Sequence, residues 1–176
     1  LVFNSELEKS LNEGVYQSTI ILLSIRAILK NLPSRLSSFI STSERQSIAS
    51  SDRKGEGQGR QPDIMFVVKY LGVFFEHVYL ECSRLYCSQK KKVDDEINFG
   101  ENNDGIYWVR KILKLDKEQF GIVGMQIAGN ILHLNVLVRD KADIHRYFHI
   151  QLTEIPVQSS SVETVTKFKE TLYVTY

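Results

Sequence analysis

Two acidic residues, Asp63 and Glu81, stand at the outer ends of two apolar runs that flank Gly72. Both lie nine residues from that glycine. A hairpin centred there would bring them opposite each other, with Cβ atoms about 5 Å apart. Carboxylates this close repel each other unless a proton or a cation lies between them. Ser83 follows Glu81 by two residues and so shares its strand face. Because Mg²⁺ prefers oxygen ligands, the spacing predicts a divalent-metal site on a sheet surface.

The pattern of Pro62-Asp63 before one strand and Glu81-Cys82-Ser83 at the end of the next resembles the PD-(D/E)xK nuclease superfamily. In particular, the chain is similar to a divergent branch of fungal proteins, some of them linked to Crinkler-type effectors. The resemblance covers most of the chain. It rests further on the segments from Ser47 to Lys54, from Gly59 to Asp63 and from Gly121 to Gln126. Ser83 stands where the superfamily has its lysine.

The resemblance implies a metal-dependent nuclease that acts on DNA or RNA. Asp63 and Glu81 would hold Mg²⁺ or Mn²⁺, and the backbone carbonyl of Cys82 would add a ligand. Glu13, on the first helix, would be an auxiliary ligand, or alternatively part of a solvated helix face. With Ser83 in place of the lysine, the missing positive charge would have to come from Lys69, Arg84 or Lys90.

Basic residues are concentrated on either side of the two acids. Arg53, Lys54 and Arg60 lie in a Ser- and Gly-rich stretch just before Asp63, and a second group follows Glu81: Arg84, Lys90 and Lys91. These residues are candidates for contacts with the phosphates of nucleic acid, which dominate affinity for it. The alternatives are a flexible loop for the first group and a solvated helix face for the second.

A second functional class remains open, because a fold can keep its core and lose its chemistry. The domain would then be a catalytically degenerate nuclease fold that binds nucleic acid or a protein partner, or forms a homodimer. The strand edge that follows Ile144 would serve such contacts. An enzyme built on Cys82 and a histidine is a weaker alternative, since no nucleophile motif accompanies the cysteine.

The chain has 176 residues and a formal net charge of +1. This length predicts a single domain, residues 1–176. The chain does not begin with Met, so we expect it to be part of a longer protein. Its two cysteines are too few for a disulfide framework, which favours an intracellular location, the nucleus included. Its most apolar run, Ile20 to Leu29, is too short to span a bilayer, so no membrane partner is expected.

The predicted elements alternate between helices and strands. A long helix begins at the capping box Ser5 to Glu8 and ends before Pro33, and a weak strand covers Gln46 to Ser50. The hairpin about Gly72 leads into one or two helical pieces between Gln89 and Leu115. Three strands (Phe120 to Ala128, Ile131 to Arg139, Ile144 to Leu152) and a helix opened by Ser160 to Glu163 complete the chain. This order predicts an α+β fold, with a mixed sheet flanked by helices. The resemblance independently implies a restriction-endonuclease-like core of helix, three strands, helix and strand, with the later strands and the last helix as additions.

Histidines on the later strands raise the question of a zinc site. His145 and His149 lie four residues apart on one strand. Their separation is therefore about 13 Å, too far to share one ion. His133 could still meet one of them across two strands.

Overall fold

The computed structural model describes residues 13–29, 37–42, 45–55, 59–82, 94–114, 120–140, 142–156 and 161–173. The helices in these ranges are α1, which comprises Glu13–Tyr16, the π-helical turn Gln17–Ile21 and Leu22–Leu29, then α2 (Ile48–Lys54), α3 (Asp94–Leu113) and α4 (Val162–Tyr173). The strands are β1 (Ser37–Thr42), β2 (Ile64–Tyr70), β3 (Val73–Cys82), β4 (Gly121–Ala128), β5 (Ile131–Arg139) and β6 (His145–Glu154).

The strands form one sheet in the order β1 to β6, and every neighbouring pair is antiparallel except β3 and β4. A parallel pair needs a long crossover connection, which contains α3. The predicted mixed sheet flanked by helices is therefore confirmed. The order helix, three strands, helix, strand runs from α1 to β4, with α2 between β1 and β2 and with β5, β6 and α4 added at the end.

Apolar side chains on the two faces of the sheet form two core clusters. The larger cluster joins β2, β3, β4 and β5 to α1 and α4, through buried residues that include Tyr16, Ile21, Leu80 and Phe168. The smaller cluster lies on the opposite face under α3 and includes Tyr79 and Ile106. No helix among the described residues is long and apolar enough to cross a membrane.

Two predicted elements differ from the structure. The strand predicted from Gln46 to Ser50 is wrong, because Ser47 is the N-cap of α2 and accepts a hydrogen bond from the Ser50 amide at 3.0 Å. The edge strand is instead Ser37–Thr42. The helical region after β3 is a single helix that continues through Gly100 and Gly105. The residues before Glu13, including the capping box predicted at Ser5, lie outside the described ranges.

The β2–β3 hairpin reaches the predicted register by an indirect route. Its turn is Leu71-Gly72, whose φ angles of 49° and 82° are both positive, as a two-residue type I′ turn requires. This turn alone would place Asp63 opposite Leu80. A β-bulge between Phe66 and Val67 shifts the register by one residue, so that Ile64 pairs with Leu80. Asp63, the next residue outward, therefore comes opposite Glu81.

Candidate active site

Four polar residues lie in a row across four neighbouring strands at one end of the sheet. Glu81 pairs with Gln126 between β3 and β4, and Gln126 pairs with His133 between β4 and β5. Each of these three stands between residues of the larger core cluster, so its own side chain projects to the α3 face. Asp63 continues the row beyond the last β2–β3 pair. With neighbouring strands about 4.8 Å apart, the row extends over roughly 15 Å.

Asp63 is anchored at this end of the hairpin through both its side chain and its backbone. Its Oδ2 atom accepts a hydrogen bond of 2.7 Å from the backbone amide of Cys82, the residue after Glu81. Its backbone carbonyl accepts a hydrogen bond of 3.0 Å from Gln17 Nε2 on α1. The Asp63 carboxylate therefore reaches across the end of β2 to within one residue of Glu81, as the spacing about Gly72 predicts.

A third acid, Glu101, extends from α3 to Glu81. Its side chain is buried, and it donates a carboxyl hydrogen bond to the Glu81 side chain. Burial is the main cause that raises the pKa of Glu101 to about 9, and the charge and hydrogen bond of Glu81 raise it further. The direction of this shift means that the pair formed by Glu101 and Glu81 shares a proton, which allows two adjacent carboxyl groups to lie together without full repulsion.

Positive charge is supplied to this cluster by two arginines. Arg53 Nη1 lies 2.8 Å from Oδ1 of the buried Asp104, and Arg60 Nε lies 3.9 Å from its Oδ2. The Arg60 charge also opposes the rise in the pKa of Glu101. The Arg60 guanidinium lies directly against Gly100 on α3, where a Cβ atom would come within 2.0 Å of Nη1. Arg60 therefore places a positive charge beside Asp104 and Glu101.

Helix α2 holds Arg60 in this position and is itself fixed to the sheet by Glu76. The Arg60 carbonyl accepts from the Ser47 amide at 2.9 Å, and the Arg60 amide donates to Ser50 Oγ at 3.0 Å. The buried Glu76 carboxylate accepts from Ser47 Oγ at 2.6 Å, from the Ile48 amide at 2.7 Å and from Tyr79 Oη at 2.8 Å. A carboxylate at the start of a helix satisfies amides that have no partner within the helix.

Packing of α3 on β4 determines where Glu101 lies. Asn98 Nδ2 donates to the Met125 carbonyl at 2.7 Å, and Asn102 Nδ2 donates to Asn98 Oδ1 at 3.1 Å. Both amides lie over Gly124, where a Cβ atom would come within 2.2 Å of Asn98 Oδ1. The glycine therefore lets polar side chains of α3 approach the sheet backbone directly.

The other residues singled out in the sequence are distributed as follows. Ser83, Arg84, Lys90 and Lys91 lie outside the described residues, and so does the side chain of Glu13. Lys54 is exposed at the end of α2, and the Cys82 side chain is buried in the larger core cluster. Lys69 lies near the turn, with its Nζ atom 5.5 Å from the centre of the Phe74 ring. It is about 20 Å along β2 from Asp63, too far to replace the lysine.

Sequence reasoning missed Glu101, Asp104 and the two asparagines of α3. A signal for them is present, because Asn98, Glu101 and Asn102 recur at the spacing of residues that share one helix face. That face is polar where an amphipathic helix against a sheet is expected to be apolar. A buried polar stripe of this kind indicates a specific contact across the interface.

The donor atoms suit a hard divalent cation with an incomplete protein shell. Within the described ranges, no set of three or more His, Cys, Asp or Glu side chains is placed so that it could hold a metal ion. Mg²⁺ commonly takes only one or two carboxylates and completes its shell with water and substrate phosphate. Glu81 meets that requirement together with Asp63, which lies opposite it, or with Glu101, which contacts it. Also among the described residues, Glu101 Oε2 and Asn102 Oδ1 are buried without a hydrogen-bond partner.

The predicted meeting of two histidines across strands is observed. The ring centres of His133 on β5 and His149 on β6 lie 5.7 Å apart, and His149 Nδ1 lies 3.0 Å from Asn135 Oδ1. His145 lies near Arg139 at the other end of β6.

In comparisons of the whole chain with known proteins, no family model, no curated protein and no solved structure matches it.

Proposed function

We propose that this chain is a nuclease-like domain that acts on the phosphodiester backbone of nucleic acid with the help of Mg²⁺ or Mn²⁺. The observation that carries the proposal is the position of Glu81. It comes opposite Asp63 in the hairpin register and accepts a hydrogen bond from Glu101. One acid before β2, one on β3 and one on α3 are thus found at the same end of the sheet, with the Glu101 and Glu81 side chains in contact. The element order from α1 to β4 also agrees with the PD-(D/E)xK resemblance.

A divalent cation bound here would activate water and stabilise negative charge on the phosphate. Asp63 and Glu81 offer carboxylate oxygens for it, and the Cys82 carbonyl is a further candidate ligand. Glu101 holds a proton at this point and would release it as the cation binds, because metal ligands must be deprotonated. The chain's own role is therefore to gather oxygen donors whose mutual repulsion a cation relieves.

Arg60 is our candidate for the positive charge that the superfamily lysine supplies and that Ser83 lacks. Its backbone is hydrogen-bonded to the first turn of α2, and its guanidinium lies against Gly100, one residue from Glu101. A guanidinium can bind two phosphate oxygens at once. Arg53, at the end of the same helix, would add a second phosphate contact.

The test is cleavage of single- and double-stranded DNA and RNA with Mg²⁺ or Mn²⁺. Asp63→Asn keeps an acceptor for the Cys82 amide, and Glu81→Gln keeps one for Glu101, so both variants should fold. We expect the cleavage rate of each variant to fall by more than about 100-fold. Loss of a hydrogen-bond partner of a metal ligand usually costs less than this. Glu163→Gln, at an exposed acid on α4, is the matched control. Cleavage that persists unchanged in both site variants would refute the proposal.

The second candidate function is a degenerate fold that acts as a dimerisation module, and it is favoured by the edge strand β6. Three large apolar residues of this strand, Phe148, Ile150 and Leu152, are each 47% exposed, and Ile144 just before it is 52% exposed. An edge strand offers backbone groups for pairing with a second chain, and a second copy would bury the same apolar residues on both sides. Under this function, Phe148→Lys would convert a dimer to a monomer in sedimentation experiments, while Lys169→Gln would not.

A further inference from the structure

A second site lies at the other end of the sheet from the acids. A cleft of about 820 Å³ is bordered by the C-terminal half of α3, the last turn of α2 and the loop between β5 and β6. The wall residue Arg139 follows Val138, which pairs with Gly121 at the start of β4. The row that contains Glu81 crosses β4 at Gln126, which pairs with His133. Gln126 and Gly121 are five residue steps apart along β4, which corresponds to roughly 17 Å. The cleft therefore lies at this distance from the row that contains Glu81, and Arg53 belongs to both places, because it lines the cleft and pairs with Asp104 near Glu101.

Basic side chains dominate the walls of this cleft. They are Arg53, Arg110, Lys111, Lys114, Arg139 and His145. The carboxylates of three aspartates pair with some of these cations. Arg53 lies 2.8 Å from Asp104, Lys111 lies 2.7 Å from Asp52, and Asp143 lies 3.8 Å from Arg110 and contacts Arg139. Among the residues that the structure describes, the five arginines and lysines outnumber the three aspartates that pair with them, so this part of the cleft wall carries an excess of positive charge.

Two further observations indicate that the cleft suits an anion. Arg139 Nε is buried and has no hydrogen-bond partner among the described residues. A buried donor of this kind is costly unless an acceptor reaches it. The pKa of His145 is lowered, chiefly by burial and then by the positive charges of Arg110 and Arg53. The Nε donor of Arg139 and the two arginine charges beside His145 both favour the binding of an anion.

The shape and chemistry of the walls narrow the class of anion. Guanidinium groups match the oxygens of a phosphate, and lysine adds point charges around it. Tyr107, which is 40% exposed, lines the same cleft beside Ile106 and offers a ring on which a base can stack. Phosphates together with a flat ring are features of a nucleotide. The volume of the cleft is in the range of pockets that bind small ligands, and it would also hold a short part of a nucleic-acid strand.

We propose that this cleft binds the phosphate groups of a nucleic-acid strand, with Arg110 and Lys114 as principal contacts and Tyr107 stacking on a base. The choice of a strand over a free nucleotide rests on the proposed function, whereas binding itself requires no cleavage. A nucleic-acid strand that ran from the cleft to Glu81 would have to extend about 17 Å, the distance along β4 between the two places.

The experiment measures binding of a short fluorescein-labelled oligonucleotide by anisotropy, in EDTA so that no cleavage occurs. The double variant Arg110→Gln/Lys114→Gln is compared with Lys167→Gln/Lys169→Gln, whose exposed lysines lie on α4 across the sheet. We expect the cleft variant to bind at least about tenfold more weakly at low salt. The slope of log affinity against log salt should fall by about 1.4, or roughly 0.7 for each lost contact with a single strand. The control variant should match the parent.

Competition identifies the source of the phosphate. If ATP displaces the oligonucleotide more effectively than inorganic phosphate, and the cleft variant weakens ATP binding as well, the phosphate site stands and its ligand is a free nucleotide. If the cleft variant keeps the affinity and the salt slope of the parent, the proposal is overturned. Equal thermal midpoints would show that the variants are folded.

Failure of the proposed function gives a different result from failure of this inference. Absence of Mg²⁺- or Mn²⁺-dependent cleavage, with binding that still depends on Arg110 and Lys114, would refute the nuclease and leave the cleft in place. Cleavage that requires Glu81, together with binding that is indifferent to the cleft variant, would refute the cleft and leave the nuclease in place.

Discussion

Glu101 on α3 donates a carboxyl hydrogen bond to Glu81 on β3, so that one proton lies between two acids that would otherwise repel each other. Burial of an acid is unfavourable, and a domain selected for stability alone would place an apolar side chain here. Buried acids with displaced pKa values are more frequent at functional sites, although structural networks also produce them. The pair is therefore the first feature of the molecule to probe by substitution.

The first prediction concerns the pH dependence of stability. The pKa of Glu101 is raised from 4.5 to about 9, so across this range the folded chain holds a proton that the unfolded chain has lost. Its contribution to the free energy of unfolding is therefore complete below the lower value and disappears as the pH rises through the upper one. Glu101→Gln, which cannot ionise, should remove this part of the decline in the free energy of unfolding as the pH rises from 4.5 to about 9. Urea unfolding at a series of pH values, followed by the fluorescence of Trp108, measures it.

The control for this prediction is Glu163→Gln, at an exposed acid on α4. It should keep the decline of the parent between mildly acidic and alkaline pH. The same decline in Glu101→Gln as in the parent would mean that Glu101 is already ionised in the folded chain. The shared proton would then be excluded.

A second prediction uses Gly100, against which the Arg60 guanidinium lies. In Gly100→Ala, the new methyl group would push aside the flexible end of Arg60, not the backbone. The free energy of unfolding should stay the same or rise by up to about 1 kcal/mol, because alanine is favoured over glycine inside helices. Nucleic-acid cleavage should nevertheless fall about as far as it does in Arg60→Gln. Stability and cleavage measured on the same preparations separate the two effects.

The comparison variant for Gly100→Ala is the double variant Gly100→Ala/Arg60→Gln. If the alanine acts only by displacing Arg60, adding it to Arg60→Gln should cause no further loss of cleavage. A further loss of equal size would mean that Gly100 acts by another route.

The facing of Asp63 and Glu81 could be predicted from the sequence, although for an incomplete reason. Their equal distance from Gly72 gives the correct register, yet the turn is Leu71-Gly72 and a bulge restores the missing residue. The apolar, β-branched character of the two runs was enough to identify the strands. A bulge depends on packing across the sheet, which no short-range pattern encodes, so its position could not be foreseen.

The contribution of α2 and α3 to the site could not be predicted in the same way. Helix α2 is short and polar, so its sequence resembles a loop, and it is held in place by a long-range contact between Ser47 and Glu76. Glu101 lies twenty residues after Glu81, and only the packing of α3 brings them together. A contact within one hairpin, such as that between Asp63 and Glu81, can be predicted from the spacing of its residues in the sequence. The contact between Glu81 and Glu101 depends on tertiary packing and cannot be predicted in this way.

A third prediction tests whether Glu76 organises α2. Glu76→Ala would leave the hydroxyl groups of Ser47 and Tyr79 without their acceptor in a buried site, along with the first amides of the helix. We expect the free energy of unfolding to fall by about 3 to 5 kcal/mol, as for other broken buried charge networks. Chemical denaturation measures this loss, and Glu163→Ala on the exposed face of α4 should cost less than about 0.5 kcal/mol. A small loss in Glu76→Ala would contradict the role assigned to this carboxylate.

The last prediction concerns the turn that sets the register of Asp63 and Glu81. Leu71 has a φ of 49° and its side chain is 80% exposed, so it is in the left-handed region without any burial to compensate. Asparagine adopts this conformation more readily and is the preferred first residue of a type I′ turn. Leu71→Asn should therefore raise the free energy of unfolding by roughly 0.5 to 1 kcal/mol. Leu71→Val, which is β-branched and disfavoured at positive φ, should lower it. Urea unfolding of both variants gives the comparison, and a stabilising valine would mean that the hairpin does not turn at Leu71-Gly72.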